Sequence, residues 1–240
     1  MKSIGLLLFS LFKYAKFGKF LLSGGTMLLS IITYSWLYGW RYGVGFIVLI
    51  FFHEMGHYIA AKQKGLNVGA PTFIPFMGAW IELKDQPHNA ETEAYIALAG
   101  PMLGTIVTFI LFVLTEGQKG VLMALTYAGF MINLFNLLPV TPLDGGRILG
   151  IISPKIWGVG LVGLIALFFI HPNPILILIL IIAAPQVWKA YKGTYIFPSG
   201  YYDTSKEVKA KYLVQYISLV GLLVVMTSKT HNVMIANFVS

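Results

Sequence analysis

The sequence predicts an all-α polytopic membrane protein, and three observations carry that expectation. The first is composition: of 240 residues, 57% are hydrophobic and 11% charged, with a mean hydropathy of +0.77, whereas soluble domains are about half apolar and a quarter charged. The second is that the apolar residues fall in runs approaching the ~20 residues a helix needs to cross a bilayer. The third is the uneven placing of basic residues between those runs. There are no cysteines, which excludes a disulfide scaffold, a thiol nucleophile and a thiolate metal site. The net charge of +8 is scattered between apolar runs rather than gathered into a stripe, so it reads as membrane topology and not as affinity for nucleic acid.

Taken in order, the runs are Phe20–Trp40, Tyr42–Ala61, Glu93–Leu114, Val121–Leu138, Ile156–Ile170, Pro174–Trp188 and Tyr212–Met226. The fifth and last are short, so six or seven transmembrane helices are expected. With seven spans and a cytoplasmic N-terminus, only Arg41, Lys119 and Lys229 fall outside, in keeping with the positive-inside rule. Residues 1–19 read as a basic interfacial segment: Ile4–Phe12 is apolar but short, and lysines follow it in place of a small-residue cleavage site. Residues 20–228 read as one membrane domain and 229–240 as a short tail. No internal repeat is visible, which counts against many transporter designs.

The second run contains His53-Glu54-Met55-Gly56-His57. Ionisable groups inside a membrane are costly and usually mark a functional site. On a helix, residues four apart share a face with Cβ atoms about 5–6 Å apart, so His53 and His57 can point at one metal ion. Glu54, beside the first histidine, can reach water activated there without occupying a coordination position, the logic of the zinc-hydrolase H-E-x-x-H motif. His53 lies about 13 Å above Lys62 at the helical rise per residue, which puts the site in the membrane, nearer its cytoplasmic face. The plainer reading bonds one histidine to a backbone carbonyl and pairs Glu54 with Lys62.

A catalytic zinc normally takes three protein ligands and leaves one position open. Candidates for the third are His88, His171, His231 and the carboxylates. His88 reads as a loop residue. Asp144 lies in Asn136-Leu-Leu-Pro139-Val-Thr-Pro142-Leu-Asp144-Gly145-Gly146-Arg147, where two prolines break the helix and two glycines permit close approach. Such a bend either presents the carboxylate to the bundle or uses it to N-cap residues 145–152. Locally, both remain open.

His53-Glu54-x-x-His57, Ala99-Gly100-Pro101 and Asn136-x-x-Pro139-x-x-x-x-Asp144-Gly145 together resemble the site-2 protease family of intramembrane zinc metalloproteases. The resemblance covers about residues 43–152 and implies a three-helix catalytic core there. It implies one Zn2+ per chain held by His53, His57 and Asp144, with Glu54 as acid and base and Asn136 as an oxyanion donor. One departure stands out: many members have asparagine where Gly104 stands, which removes a polar contact yet keeps the small-xxx-small pair Gly100 and Gly104. The segment Pro71–Glu82 is apolar, too short to span and broken by Pro and Gly. Alone it reads as an interfacial loop anchored by Trp80; the resemblance makes it a re-entrant β segment, with Phe76, Gly78, Ala79 and Trp80 meeting the substrate as an added strand. The implied substrate is a transmembrane protein whose helix unwinds locally, and the implied surroundings are the lipid bilayer and a regulatory membrane partner, with no nucleic acid.

Two other classes compete. A catalytically idle protein binding client helices has no physical need of a buried Glu54. A transporter calls for polar residues at mid-depth in other spans, and Gln186 and Gln215 lie near span ends. Arg147 reads as an interfacial or loop charge. Asn133 reads as structural, and Glu91 and Glu93 as complements to the dipole of a helix capped by Asn89.

Overall fold

The computed structural model describes residues 23–75, 78–115, 120–194 and 197–235; the basic segment at 1–19, Phe76, Lys119 and the tail end at 236–240 lie outside them. Residues 23–38 form helix α1, and Gly39, at φ +87, breaks the chain before α2 (Trp40–Gln63). Only glycine adopts that conformation without strain. Strands β1 (Val68–Ile74) and β2 (Gly78–Leu83) follow, then α3 (Ala90–Leu114) and α4 (Val121–Asn136). After a bend come the short α5 (Asp144–Gly150), a 3-10 turn at Pro154–Ile156, α6 (Trp157–Ile170), α7 (Pro174–Lys192) and α8 (Lys206–Ile235).

The chain is mostly helical, and among the described residues four helices (α2, α3, α7 and α8) are long and apolar enough to cross a membrane. Helices α4 and α6, with 16 and 14 residues, are apolar but shorter. At 1.5 Å per residue they extend about 24 and 21 Å, less than the ~30 Å hydrocarbon core. The last helix far exceeds the apolar run Tyr212–Met226. Its first turns, Lys206–Lys211, are too polar to count as span yet continue the same backbone. Large apolar side chains face outward on the long helices, among them Ile106, Ile110 and Val113 of α3 and Val214, Ile217 and Val225 of α8. Such surface is at home in lipid rather than water.

Helices α2, α3 and α4 meet through glycine. A Cβ placed on Gly56 of α2 would lie 2.3 Å from the Ala99 carbonyl oxygen and 2.8 Å from the Gly100 Cα. The two backbones touch there, the contact that small residues provide between membrane helices. Gly56→Ala should therefore lower stability by about 1–3 kcal/mol, the usual cost of overpacking. Thermal unfolding in detergent checks this, with Gly163→Ala, where nothing lies within 4 Å of the new atom, as the unaffected control.

The strands form one antiparallel pair, with Thr72 opposite Trp80, Phe73 opposite Ala79 and Ile74 opposite Gly78, and an irregularity between Val68 and Pro71. Asn67 closes its open end: the Asn67 backbone and side-chain amides donate to Asp85 at 2.9 and 2.8 Å. Those two bonds hold the exposed Asp85 carboxyl below its ordinary range. On the other side, α1 covers the edge of β1. The Ser23 hydroxyl donates to the Pro71 carbonyl, the Phe73 N–H donates to Thr26 Oγ1 at 3.3 Å, and Phe73 is buried with Tyr34, Ile47 and Ile50.

Candidate metal centre

Helix α2 runs unbroken through His53, Glu54 and His57, which are only 4, 7 and 8% exposed. Three ionisable groups are thus withdrawn from solvent within little more than one turn, where unpaired groups are strongly unfavourable. The partners come from three other elements. His57 Nδ1 lies 2.8 Å from the Ile96 carbonyl oxygen of α3. His53 Nδ1 lies 2.9 Å from Asn133 Oδ1 of α4. Asp144, 7% exposed, comes from the start of α5.

The bend before α5 is tightly built. A Cβ on Gly145 would lie 2.1 Å from the Leu137 carbonyl oxygen, and one on Gly146 would lie 2.3 Å from the Val140 carbonyl carbon. The first turn of α5 therefore rests directly on the bend, and only glycine permits that. Two side chains from later in the chain hold the arrangement: Tyr216 of α8 donates to the Leu137 carbonyl at 2.5 Å, and the Trp157 indole donates to the Gly146 carbonyl at 2.7 Å. Asp144 does not cap its own helix. Leu143 holds the N-cap position, and the carboxylate turns to the histidines instead.

Protonation follows from the partners. A backbone carbonyl only accepts, so His57 Nδ1 carries its proton. The amide nitrogen of Asn133 donates to the Gly129 carbonyl at 2.7 Å, which leaves its oxygen for His53, so His53 Nδ1 is a donor as well. In neutral imidazoles both Nε2 atoms then present lone pairs. They lie 3.1 Å apart and 3.1 and 3.2 Å from Asp144 Oδ2. Three electron-pair donors converge with no proton to share, an arrangement that calls for a cation. A tetrahedral ion with bonds of about 2.0–2.1 Å holds its ligands about 3.3 Å apart. The donor set of two imidazoles and one carboxylate therefore fits zinc in charge, softness and spacing, and His53, His57 and Asp144 could hold it.

These side chains line a cavity of about 290 Å³ together with Glu54, Ala79, Ile81, Asn136, Pro142, Leu143 and Arg147. Glu54 faces the cavity but stands outside the ligand triangle. Asn136 is half-buried on the cavity wall; its amide donates to the Ile132 carbonyl at 3.2 Å, and a second N–H remains. Gly78 and Ala79 also border a larger apolar cavity of about 460 Å³ that begins at His53 and Glu54 and extends to Ile175 and Ile179 of α7. Trp80 takes its place in β2. His88, His171 and His231 are all exposed.

Three residues stand differently from their reading in the sequence. Arg147 is no loose loop charge: it sits on α5, borders the cavity, and pairs through Nε with Glu93 Oε1 at 3.3 Å. Tyr201 donates to the other Glu93 oxygen at 2.7 Å. Burial first, and then the negative charge of Glu93, push the Tyr201 phenol well above its ordinary value, so it remains a donor. The expected cap at Asn89 is present, accepting from the Thr92 N–H at 2.8 Å, while Glu93 does more than complement a dipole. Asn133 touches a metal-binding candidate. No local pattern gives these pairings, because their partners lie 54, 80 and 108 residues apart.

Residues 42–120 match the model of peptidase family M50. A protein of Methanocaldococcus jannaschii named as a zinc metalloprotease is 31% identical over 117 residues, 46% of this chain and 34% of that protein. A chloroplast protein of Oryza sativa named as a probable zinc metalloprotease is 26% identical over 172 residues, 48% of this chain and 31% of that protein. The chain thus spans about a third of the length of these curated relatives. Among solved structures, the site-2 protease from Methanocaldococcus jannaschii aligns at 21% identity with a TM-score of 0.46, covering 72% of this chain and 88% of that one.

Proposed function

From a chain related to peptidase family M50, the site-2 proteases, we propose an integral membrane zinc endopeptidase that cleaves transmembrane segments of other membrane proteins. The observation that carries this reading is the convergence of His53 Nε2, His57 Nε2 and Asp144 Oδ2 at 3.1–3.2 Å inside an apolar bundle. Zinc bound by these three ligands would make water a nucleophile near neutral pH and polarise the peptide carbonyl. Glu54 takes the proton from the attacking water and passes it to the leaving amine. Asn136 offers its remaining N–H to the developing oxyanion. Arg147, tied to Glu93, borders the same cavity.

The substrate must arrive as an extended strand, because a helix hides its peptide bonds in its own ladder. The β pair suits that task. Pro71 and Phe73 turn their backbone groups towards α1. In an antiparallel ladder their partners Ile81 and Ala79 therefore turn theirs the opposite way, to the outer edge of β2. Both residues line the cavity, so an added strand would bond there and lie beside Glu54. On this reading the β pair is re-entrant, α1, α4 and α6 complete a set of six or seven spans, and residues 20–228 act as one membrane domain. The N-terminus and the site's nearer mouth are cytoplasmic on this reading, the side to which the positive-inside rule assigns the connecting segments that carry Lys62, Lys64, Lys84, Arg147 and Lys155. Cleavage of this kind is the chemistry of regulated intramembrane proteolysis, with control supplied by a membrane partner.

The test is a purified protein in detergent with a single-span substrate. We expect about one zinc per chain, loss of cleavage with a chelator and recovery on adding zinc. A metal-free preparation that cleaves as fast as the parent would sink the reading.

A further inference from the structure

We propose that Asn133 is a positioning residue that sets the His53 ring for the metal, and that position 104 is glycine in order to house the Asn133 amide. The inference rests on the metal reading above and concerns how one ligand is held.

Helices α3 and α4 cross with a reciprocal arrangement. A Cβ on Gly104 of α3 would lie 2.3 Å from Asn133 Oδ1 and 2.8 Å from Asn133 Nδ2 of α4. One turn away the roles reverse, and a Cβ on Gly129 of α4 would lie 2.5 Å from Thr108 Oγ1 of α3. Each glycine makes the notch that receives the other helix's polar side chain. Each polar group then donates back to the glycine carbonyl of its own helix: Thr108 to Gly104 at 2.7 Å and Asn133 to Gly129 at 2.7 Å. Thr108 and Asn133 are 0 and 3% exposed, so both are sealed in the crossing.

The two amino acids differ in what is left over. The bond of Asn133 to Gly129 uses the amide nitrogen and fixes which way the amide points, so its carbonyl oxygen faces α2 and accepts from His53 Nδ1 at 2.9 Å. This sets the tautomer and rotation of His53 and leaves Nε2 toward His57 and Asp144. His57 receives the same service from the backbone of Ile96. Outer partners of this kind typically change metal affinity 10–100-fold. Gly104 keeps the notch open; any side chain there would push the amide off His53.

The experiment measures zinc affinity in detergent by competition with a chelator, alongside thermal unfolding of the metal-free protein. Asn133→Leu, similar in volume without an acceptor, should weaken zinc binding about 10–100-fold. Asn133→Asp keeps an oxygen for His53 Nδ1 and should bind zinc more tightly than Asn133→Leu. A residue that only fills the notch would give the opposite order, since leucine packs there and a buried carboxylate does not. Gly104→Ala should weaken zinc binding in the parent and have little effect in an Asn133→Ala background. Parental affinity in Asn133→Leu, or equal Gly104→Ala effects in both backgrounds, overturns the proposal while the metal reading stands. A parent protein without zinc, matched by His57→Ala, overturns both.

Discussion

On the proposed mechanism, Glu54→Gln should retain about one zinc per chain and lose cleavage by roughly 10²–10⁴-fold, the range that positioned acid–base catalysis supplies. The substitution keeps shape and volume and removes the ability to take a proton. Glu54 lines the cavity beside His53 but is not among the three converging ligand atoms, so metal content should not follow activity. The comparison is made with zinc analysis and single-span cleavage on the same preparation. It also separates the enzyme from an idle client-binding protein, in which the variant would still hold its client and the parent would show no product. Parental cleavage by the variant would remove Glu54 from the mechanism.

Asp144→Ala should lose both metal and activity. It leaves two neutral imidazoles from one helix, removes the carboxylate of the proposed ligand set, and opens space where a buried side chain stood. Zinc content should fall from about one per chain to near none, and cleavage should fall below detection. The helical signal should stay at the parental level, because Asp144 does not cap α5. Zinc retained at full occupancy would mean that the carboxylate is not a ligand.

Much of the centre was legible in the chain itself. His53, Glu54 and His57 declare themselves because their spacing is a helical period and their surroundings are apolar. Asp144 did not: Pro139, Pro142 and the two glycines announce a bend, but its direction depends on packing that no local pattern states. The resemblance named Asp144, and the structure supplies the physical reason, a first turn of α5 pressed onto the bend by Gly145 and Gly146. Gly104 looked like the loss of a polar contact. The structure fills that space with Asn133 from the next helix, a compensation invisible to a reading along the chain. Arg147 and Glu93 were missed as a pair for the same reason. The long last helix was underestimated because hydropathy marks the lipid-facing stretch and stays silent about a polar extension of the same helix.

The bend that delivers Asp144 is fastened by two side chains from later in the chain, Trp157 and Tyr216, the latter on a helix that is largely unsheltered by the rest of the protein. A fragment ending after α5 would keep His53, His57 and Asp144 in its covalent chain but lose both of those fasteners. On the proposed reading α8 is thus a brace for the third ligand, and minimal versions of the protein should be cut with that dependence in mind.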